Sequence, residues 1–150
     1  MRSAGARIKN GFIKVFILCL AFFSLTSCSL PSFEKPECSA ARDVVRRFYS
    51  FHFAKDMRPS AENLRSASPF LTEGLQRTLS TASETAVDYF TQTDDYPRTF
   101  KVGTCNLQSN DRALLELTLL WRDDQRTQQR EIKVETVKVD DKWLIDKVSN

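Results

Sequence analysis

Four thiols, one imidazole and one carboxylate set between apolar residues are the groups in this 150-residue chain best suited to chemistry. Cys28 and Cys38 stand ten positions apart, a spacing open to metal ligation, to redox exchange or to two unrelated roles. His52 is the single histidine, and an imidazole can serve as a general base. Asp88, in the stretch VDYF, is a candidate carboxylate at a pocket mouth, while Tyr49 and Trp143 are candidate lining residues for a ligand cavity. Each has a plainer use: a lone helical histidine satisfied in the core, a capping carboxylate, aromatic rings that fill a core. Metal sites need clustered ligands, and one histidine with scattered carboxylates does not supply them. Asp123-Asp124 and Asp140-Asp141 fall where such pairs shape turns. Four glycines spread along the chain make no phosphate-binding loop, and there is no serine nucleophile elbow or Cys/His dyad. The expectation is therefore no catalytic residue, no cofactor and no metal.

Charge narrows the partner classes. The chain carries 22 basic and 19 acidic residues, but Arg2, Arg7, Lys9 and Lys14 are concentrated at the start with no acidic residue before position 28. Without those four, 18 basic residues face 19 acidic ones, and the basic surface expected of a nucleic-acid binder is gone. Nucleic acid is not an expected partner.

That basic start is followed by VFILCLAFFSL at residues 15–25 and then by Thr26 and Ser27. As a helix, eleven residues rise only about 16 Å, against about 30 Å for a bilayer core, which favours an export signal over a membrane span. Leu25-Thr26-Ser27-Cys28 resembles the lipobox of bacterial lipoproteins: an aliphatic residue, two small ones and a cysteine. The resemblance implies diacylglycerol in thioether linkage on Cys28, cleavage before it and acylation of the new amino terminus. Two or three acyl chains would hold the protein on a membrane, since one alone anchors only marginally. Ser29 resembles an outer-membrane sorting residue, so in a two-membrane organism the expected place is the outer membrane, facing the periplasm. Residues 1–27 are thus expected to be a signal peptide, 28–37 a lipidated tether with Pro31 and Pro36, reaching roughly 25–30 Å, and 38–150 one folded domain. On that reading Cys19 leaves with the signal and Cys28 is consumed by lipid. Cys38 and Cys105 remain, either as a disulfide suited to an oxidising compartment or as two independent thiols.

The elements that would position these groups are helices first and strands second. Ser39 is the expected cap of a helix over residues 40–54, with Val44, Val45, Phe48, Tyr49 and His52 on one face and Phe51 and Phe53 widening it. Ser68-Pro69 should open a second helix with Leu71, Leu75, Leu79 and Ala82 along one stripe. A short turn is expected over residues 87–90, then the polar loop TQTDDYP. Beyond Pro97 the apolar period falls from 3.6 to 2. Phe100, Val102 and Thr104 form one face of a first strand. Ala113, Leu115, Leu117, Leu119 and Trp121 form a central one. Ile132, Val134 and Thr136 form a third with a bulge near Thr136, and WLIDKV at 143–148 is the last. The polar loop DDQRTQQ at 123–129 joins the second and third strands.

Helices followed by an antiparallel meander define an α+β domain. Three stretches together, VVRRFYSFHF, PFLTEGLQRTL and DDKWLIDKV, resemble the nuclear-transport-factor-2-like superfamily, and within it bacterial lipoproteins that carry a domain of unknown function. The resemblance covers residues 38–150. It implies N-terminal helices packed on a curved antiparallel sheet, a cone with a pocket. Because that superfamily holds enzymes, pocket binders and members without chemistry, the fold alone transfers no function. The expected function is a lipid-anchored envelope lipoprotein that binds or scaffolds an envelope protein or small ligand, with TQTDDYP and DDQRTQQ as natural contact loops. The alternative is a small-molecule enzyme or carrier that uses His52 or Asp88.

Overall fold

A computed structural model describes residues 34–82, 86–122 and 127–150. The expected signal peptide, Cys19, Cys28 as the expected lipidation site and most of the expected tether lie outside the described residues, as do positions 123–126 of the DDQRTQQ loop. The order of elements is α1 (Pro36–Phe53), α2 (Ala61–Ala67), a 3-10 turn (Ser68–Phe70), α3 (Glu73–Thr81), then β1 (Thr99–Ser109), β2 (Arg112–Arg122), β3 (Thr127–Val139) and β4 (Lys142–Ser149). The strands form one antiparallel sheet in the order β1-β2-β3-β4, with the helices packed against it, so the domain is α+β.

Helix α1 begins four residues before the expected start. Its N-cap is Lys35 rather than Ser39, and no side chain caps it. Pro36 explains the shift. Its ring fixes φ for the first helical position and disfavours helical geometry one residue earlier, and Lys35 is extended at φ −60°, ψ 142°. The last two residues assigned to the tether, Pro36 and Glu37, therefore belong to the helix. The expected face is buried in full, from Val44 and Val45 to Phe48, Tyr49 and His52, with Phe51 and Phe53 half-buried beside it.

The helix expected from Ser68 is broken into a 3-10 turn and α3, and an unexpected helix, α2, precedes it. Ser60 accepts a hydrogen bond from the Asn63 N–H and starts α2, which the apolar pattern had not indicated. Ser68-Pro69 opens only a 3-10 turn, and Leu71 is extended at φ −111°, ψ 146°. There it bridges Ile145 of β4 in parallel sense, and the Thr72 N–H donates to the Ile145 carbonyl at 2.9 Å. Satisfying a sheet edge outweighs continuing the helix. Thr72 then caps α3 by accepting from the Leu75 N–H. Leu71 and Leu75 are buried, Leu79 is half-buried, and Ala82 is exposed past the helix end, so the expected stripe is only partly realised.

The strands keep their expected inward residues except where bulges shift the phase. In β1, Val102 faces Leu117 and Cys105 faces Leu115, so Gly103 and Thr104 together oppose Glu116. Glycine suits this point because a Cβ on Gly103 would stand 3.3 Å from the Glu116 carbonyl oxygen. The extra residue turns Thr104 outward, against expectation, and brings Cys105 and Leu107 to the core side instead. Opposite Thr136 the register also slips, but the extra residue is Asp146 on β4, between Ile145 and Lys147. Trp143, Ile145 and Val148 are consequently the inward residues of β4, while Val137 and Val139 lie on the opposite face from Thr136. Asp140 and Asp141, at φ 48° and 63°, make the two-residue hairpin between β3 and β4, the geometry that matches strand twist.

Candidate functional site

Helix α1 carries the first half of a buried polar cluster and the segment after α3 carries the second. His52 Nε2 lies 2.8 Å from Asp88 Oδ2, and the two residues are 7% and 2% exposed. Against a carboxylate acceptor, Nε2 is the nitrogen that carries hydrogen. Asp88 also accepts from the Phe90 N–H at 3.2 Å, the Thr91 N–H at 3.1 Å and the Thr91 hydroxyl at 2.8 Å. Three of these donors, from His52 and Thr91, converge on Oδ2 and the Phe90 N–H takes Oδ1, so both carboxylate oxygens are engaged. The backbone closes around the same residue: the Gln92 N–H donates to the Asp88 carbonyl, and the Asp88 N–H donates to the Thr93 carbonyl. Gln92 takes φ 56° to complete the turn.

Aromatic rings enclose this cluster. Phe48 stacks on the His52 imidazole with centroids 5.5 Å apart, and Phe90 meets the imidazole edge-on at 5.2 Å. The Tyr49 hydroxyl donates to the Phe90 carbonyl at 2.7 Å. Burial, reinforced by the nearby Asp88 charge and then by Tyr89, pushes the Tyr49 phenol well above its ordinary pKa. Further ties hold the segment to the sheet: Val148 N–H to the Tyr89 hydroxyl, Trp121 Nε1–H to the Asp95 carbonyl, and Arg130 to the Gln92 carbonyl. Thr91 and Thr93 are buried, so the first part of TQTDDYP is not the solvated contact loop expected, although Asp94 and Asp95 are exposed.

Three of the four candidate pocket residues thus come together. Trp143 does not join them. It is buried near the start of β4, at the other end of that strand from Val148, and among the described residues it shares no ring contact or hydrogen bond with Tyr49, His52 or Asp88. The residues that sequence reasoning missed here are Thr91, Phe90 and Tyr89. One local signal was available: Asp followed three positions later by Thr is the spacing at which a carboxylate binds the backbone and hydroxyl of a following turn.

A second cluster joins the start of α1 to β1. Cys38 and Cys105 form a disulfide, with Sγ atoms 2.01 Å and Cα atoms 5.8 Å apart, as one of the two open readings of these thiols held. The bulge at Gly103 and Thr104 makes this pairing accessible, because an unbroken alternation would have left Cys105 on the face opposite Phe100 and Val102. One helical turn beyond Cys38, Arg42 reaches back to both carboxylate oxygens of Glu34 through Nε, at 3.2 and 3.3 Å. Its guanidinium also donates to the carbonyls of Val102 and Gly103 at the bulge. The hydrogen bond and charge of Arg42 hold the Glu34 carboxyl below the usual carboxylate range. Neither Glu34 nor Arg42 was singled out from sequence.

Comparison with known proteins adds little to this geometry. No family model matches the chain, and no curated protein matches it. A solved structure from Bacteroides thetaiotaomicron VPI-5482, described as a protein of unknown function, is similar at 15% identity, covering 92% of this chain and 99% of that chain with a TM-score of 0.44.

Proposed function

We propose that this is a lipid-anchored lipoprotein of the cell envelope whose folded domain binds or scaffolds a partner without catalysing a reaction. The observation that carries the reading is the Cys38–Cys105 disulfide. Such bonds persist in exported proteins, and this one accounts for Cys38 and Cys105, so that Cys28 is the remaining cysteine of the processed chain and the one the lipobox resemblance would lipidate. Helices against a four-stranded antiparallel meander agree with a nuclear-transport-factor-2-like cone, and we adopt that finer fold as part of the proposal. In a two-membrane organism the anchor faces the periplasm from the outer membrane, the surface that Ser29 favours.

The competing reading, an enzyme or carrier that uses His52 or Asp88, draws support from their 2.8 Å approach. Against it stand a buried carboxylate with hydrogen bonds at both oxygens and a buried imidazole covered by Phe48 and Phe90. A general base has to reach its substrate's proton directly or through one water. The cluster is better suited to fixing the segment after α3.

Fractionation of cells expressing the full chain tests the anchor. The parent protein is expected with membranes at high salt, with an acylated amino-terminal peptide by mass spectrometry. Cys28→Ser is expected in the soluble fraction with its fold intact. A Cys28→Ser protein that still sediments with membranes would overturn the proposal.

A further inference from the structure

The clasp around the disulfide also carries the donor set of a metal site. Among the described residues, the Sγ atoms of Cys38 and Cys105 and a carboxylate oxygen of Glu34 all lie within 4.8 Å of one another. We propose that, once the disulfide is reduced, Cys38, Cys105 and Glu34 bind a Zn²⁺ ion, so that a metal bridge replaces the covalent one. This inference draws on the same Cys38–Cys105 pair that carries the proposed function, but it does not require the lipid anchor.

The chemistry balances through a dithiol reductant. Thiol–disulfide exchange passes two electrons and two protons to the Cys38–Cys105 bond, giving two thiols while the reductant becomes a disulfide. Binding of Zn²⁺ then releases those two protons to solvent, because thiolates are the ligands. Zinc–sulfur bonds of about 2.3 Å at a tetrahedral angle place two sulfurs about 3.7 Å apart. From their bonded separation of 2.01 Å the sulfurs need to move apart by less than about 2 Å. Side-chain rotation supplies a shift of that size with α1 and β1 held in place by the core between them.

Ligand type and charge select the ion. Two thiolates and one carboxylate make a mixed S₂O set that suits zinc, whereas Cu⁺ would be served by the two sulfurs alone. Three ligand charges are balanced by Zn²⁺ and the Arg42 guanidinium, leaving the cluster neutral. Arg42 donates to both oxygens of Glu34 while being held by the Val102 and Gly103 carbonyls, and each carboxylate oxygen keeps a second lone pair for the ion. Cys38 is buried, but Cys105 and Glu34 are half-buried, which gives the ion an approach and leaves its fourth position to water.

The test uses the exported chain, reduced anaerobically with a phosphine that is then removed, and titrated with Co²⁺ followed by Zn²⁺. One equivalent of Co²⁺ is expected to produce thiolate-to-metal charge-transfer absorption with the visible bands of a tetrahedral site, and Zn²⁺ is expected to abolish both. Oxidised protein is expected to give neither signal. Glu34→Gln, which keeps both cysteines and the fold, is expected to weaken Zn²⁺ binding by at least about tenfold. Cys105→Ser is expected to remove the charge-transfer band. Circular dichroism follows the fold throughout, and a reduced chain that gains structure on adding Zn²⁺ also supports the site. Reduced protein without a thiolate–Co²⁺ band overturns the proposal. So does a Glu34→Gln variant that binds Zn²⁺ as tightly as the parent, because the two sulfurs would then suffice.

Discussion

Two clusters tie irregular chain to the core of this domain, and they do it by opposite means. At the start of α1 the Cys38–Cys105 bond joins helix to sheet covalently, and Arg42 adds contacts to Glu34 and to the β1 bulge. At the far end of the same helix, His52 meets Asp88, and a carboxylate with four donors holds the segment after α3 through hydrogen bonds alone. The first cluster acts largely on the unfolded chain by limiting its freedom. The second acts on the folded state, where each polar group must find a partner once it leaves water. The two ends of α1 should therefore fail under different insults, reduction at one and loss of a single acceptor at the other.

The largest expected effect is at the covalent end. Replacing both Cys38 and Cys105 by alanine opens a link between residues 67 positions apart, for which chain-entropy reasoning gives a loss of about 4 kcal/mol. Urea unfolding of the double variant beside the parent measures it. A loss under about 1 kcal/mol would mean that Arg42 and the core hold α1 against β1 unaided, and the contrast between the clusters would collapse.

How far each cluster was legible in the sequence follows the same divide. Counting thiols is enough to put Cys38 and Cys105 forward, because a disulfide needs two partners and an oxidising compartment. Periodicity gave the buried face of α1 and the central strand β2, where every second residue from Ala113 to Trp121 is inside. It failed where one residue of extra backbone resets the phase, at Gly103–Thr104 and at Asp146, since a bulge is visible only against the partner strand. It failed again at Leu71, where pairing with Ile145 overrides a helical stripe. His52, Tyr49 and Asp88 were each identifiable as candidates. That they meet was not, because 36 positions separate His52 from Asp88 and no local pattern spans that distance.

The second prediction concerns that meeting. Asp88→Asn keeps the volume but turns one acceptor oxygen into an NH₂ group, which then faces N–H and O–H donors from His52, Thr91 or Phe90. Leaving buried donors unpaired costs about 1–3 kcal/mol, and the expected loss is near the top of that range because several donors share one carboxylate. A double-mutant cycle with His52→Gln sharpens the point. A coupling of at least about 0.5 kcal/mol is expected for groups in direct contact, whereas additive losses would show that Asp88 serves the turn and His52 serves the aromatic core separately.

The smallest effect separates the two clusters by pH. Tyr49→Phe removes the hydrogen bond to the Phe90 carbonyl, and its expected cost at neutral pH is about 1 kcal/mol. The phenol has a second consequence. Its folded pKa is raised well above 10.0 by burial first and by the Asp88 charge second. A group with a raised folded pKa binds its proton more tightly in the native state, so its contribution is whole below the unfolded value and falls as pH rises past it. Stability of the parent should therefore decline above about pH 10, as unfolded Tyr49 ionises and native Tyr49 does not. In Tyr49→Phe that part of the decline should vanish, leaving a shallower alkaline slope in unfolding measured across this range. The Cys38/Cys105 double variant should keep the parent's slope while losing stability at every pH, because its linkage carries no proton. A Tyr49→Phe slope equal to the parent's would show that the phenol ionises in the native state as readily as in the unfolded one, against a tightly closed cluster around Asp88.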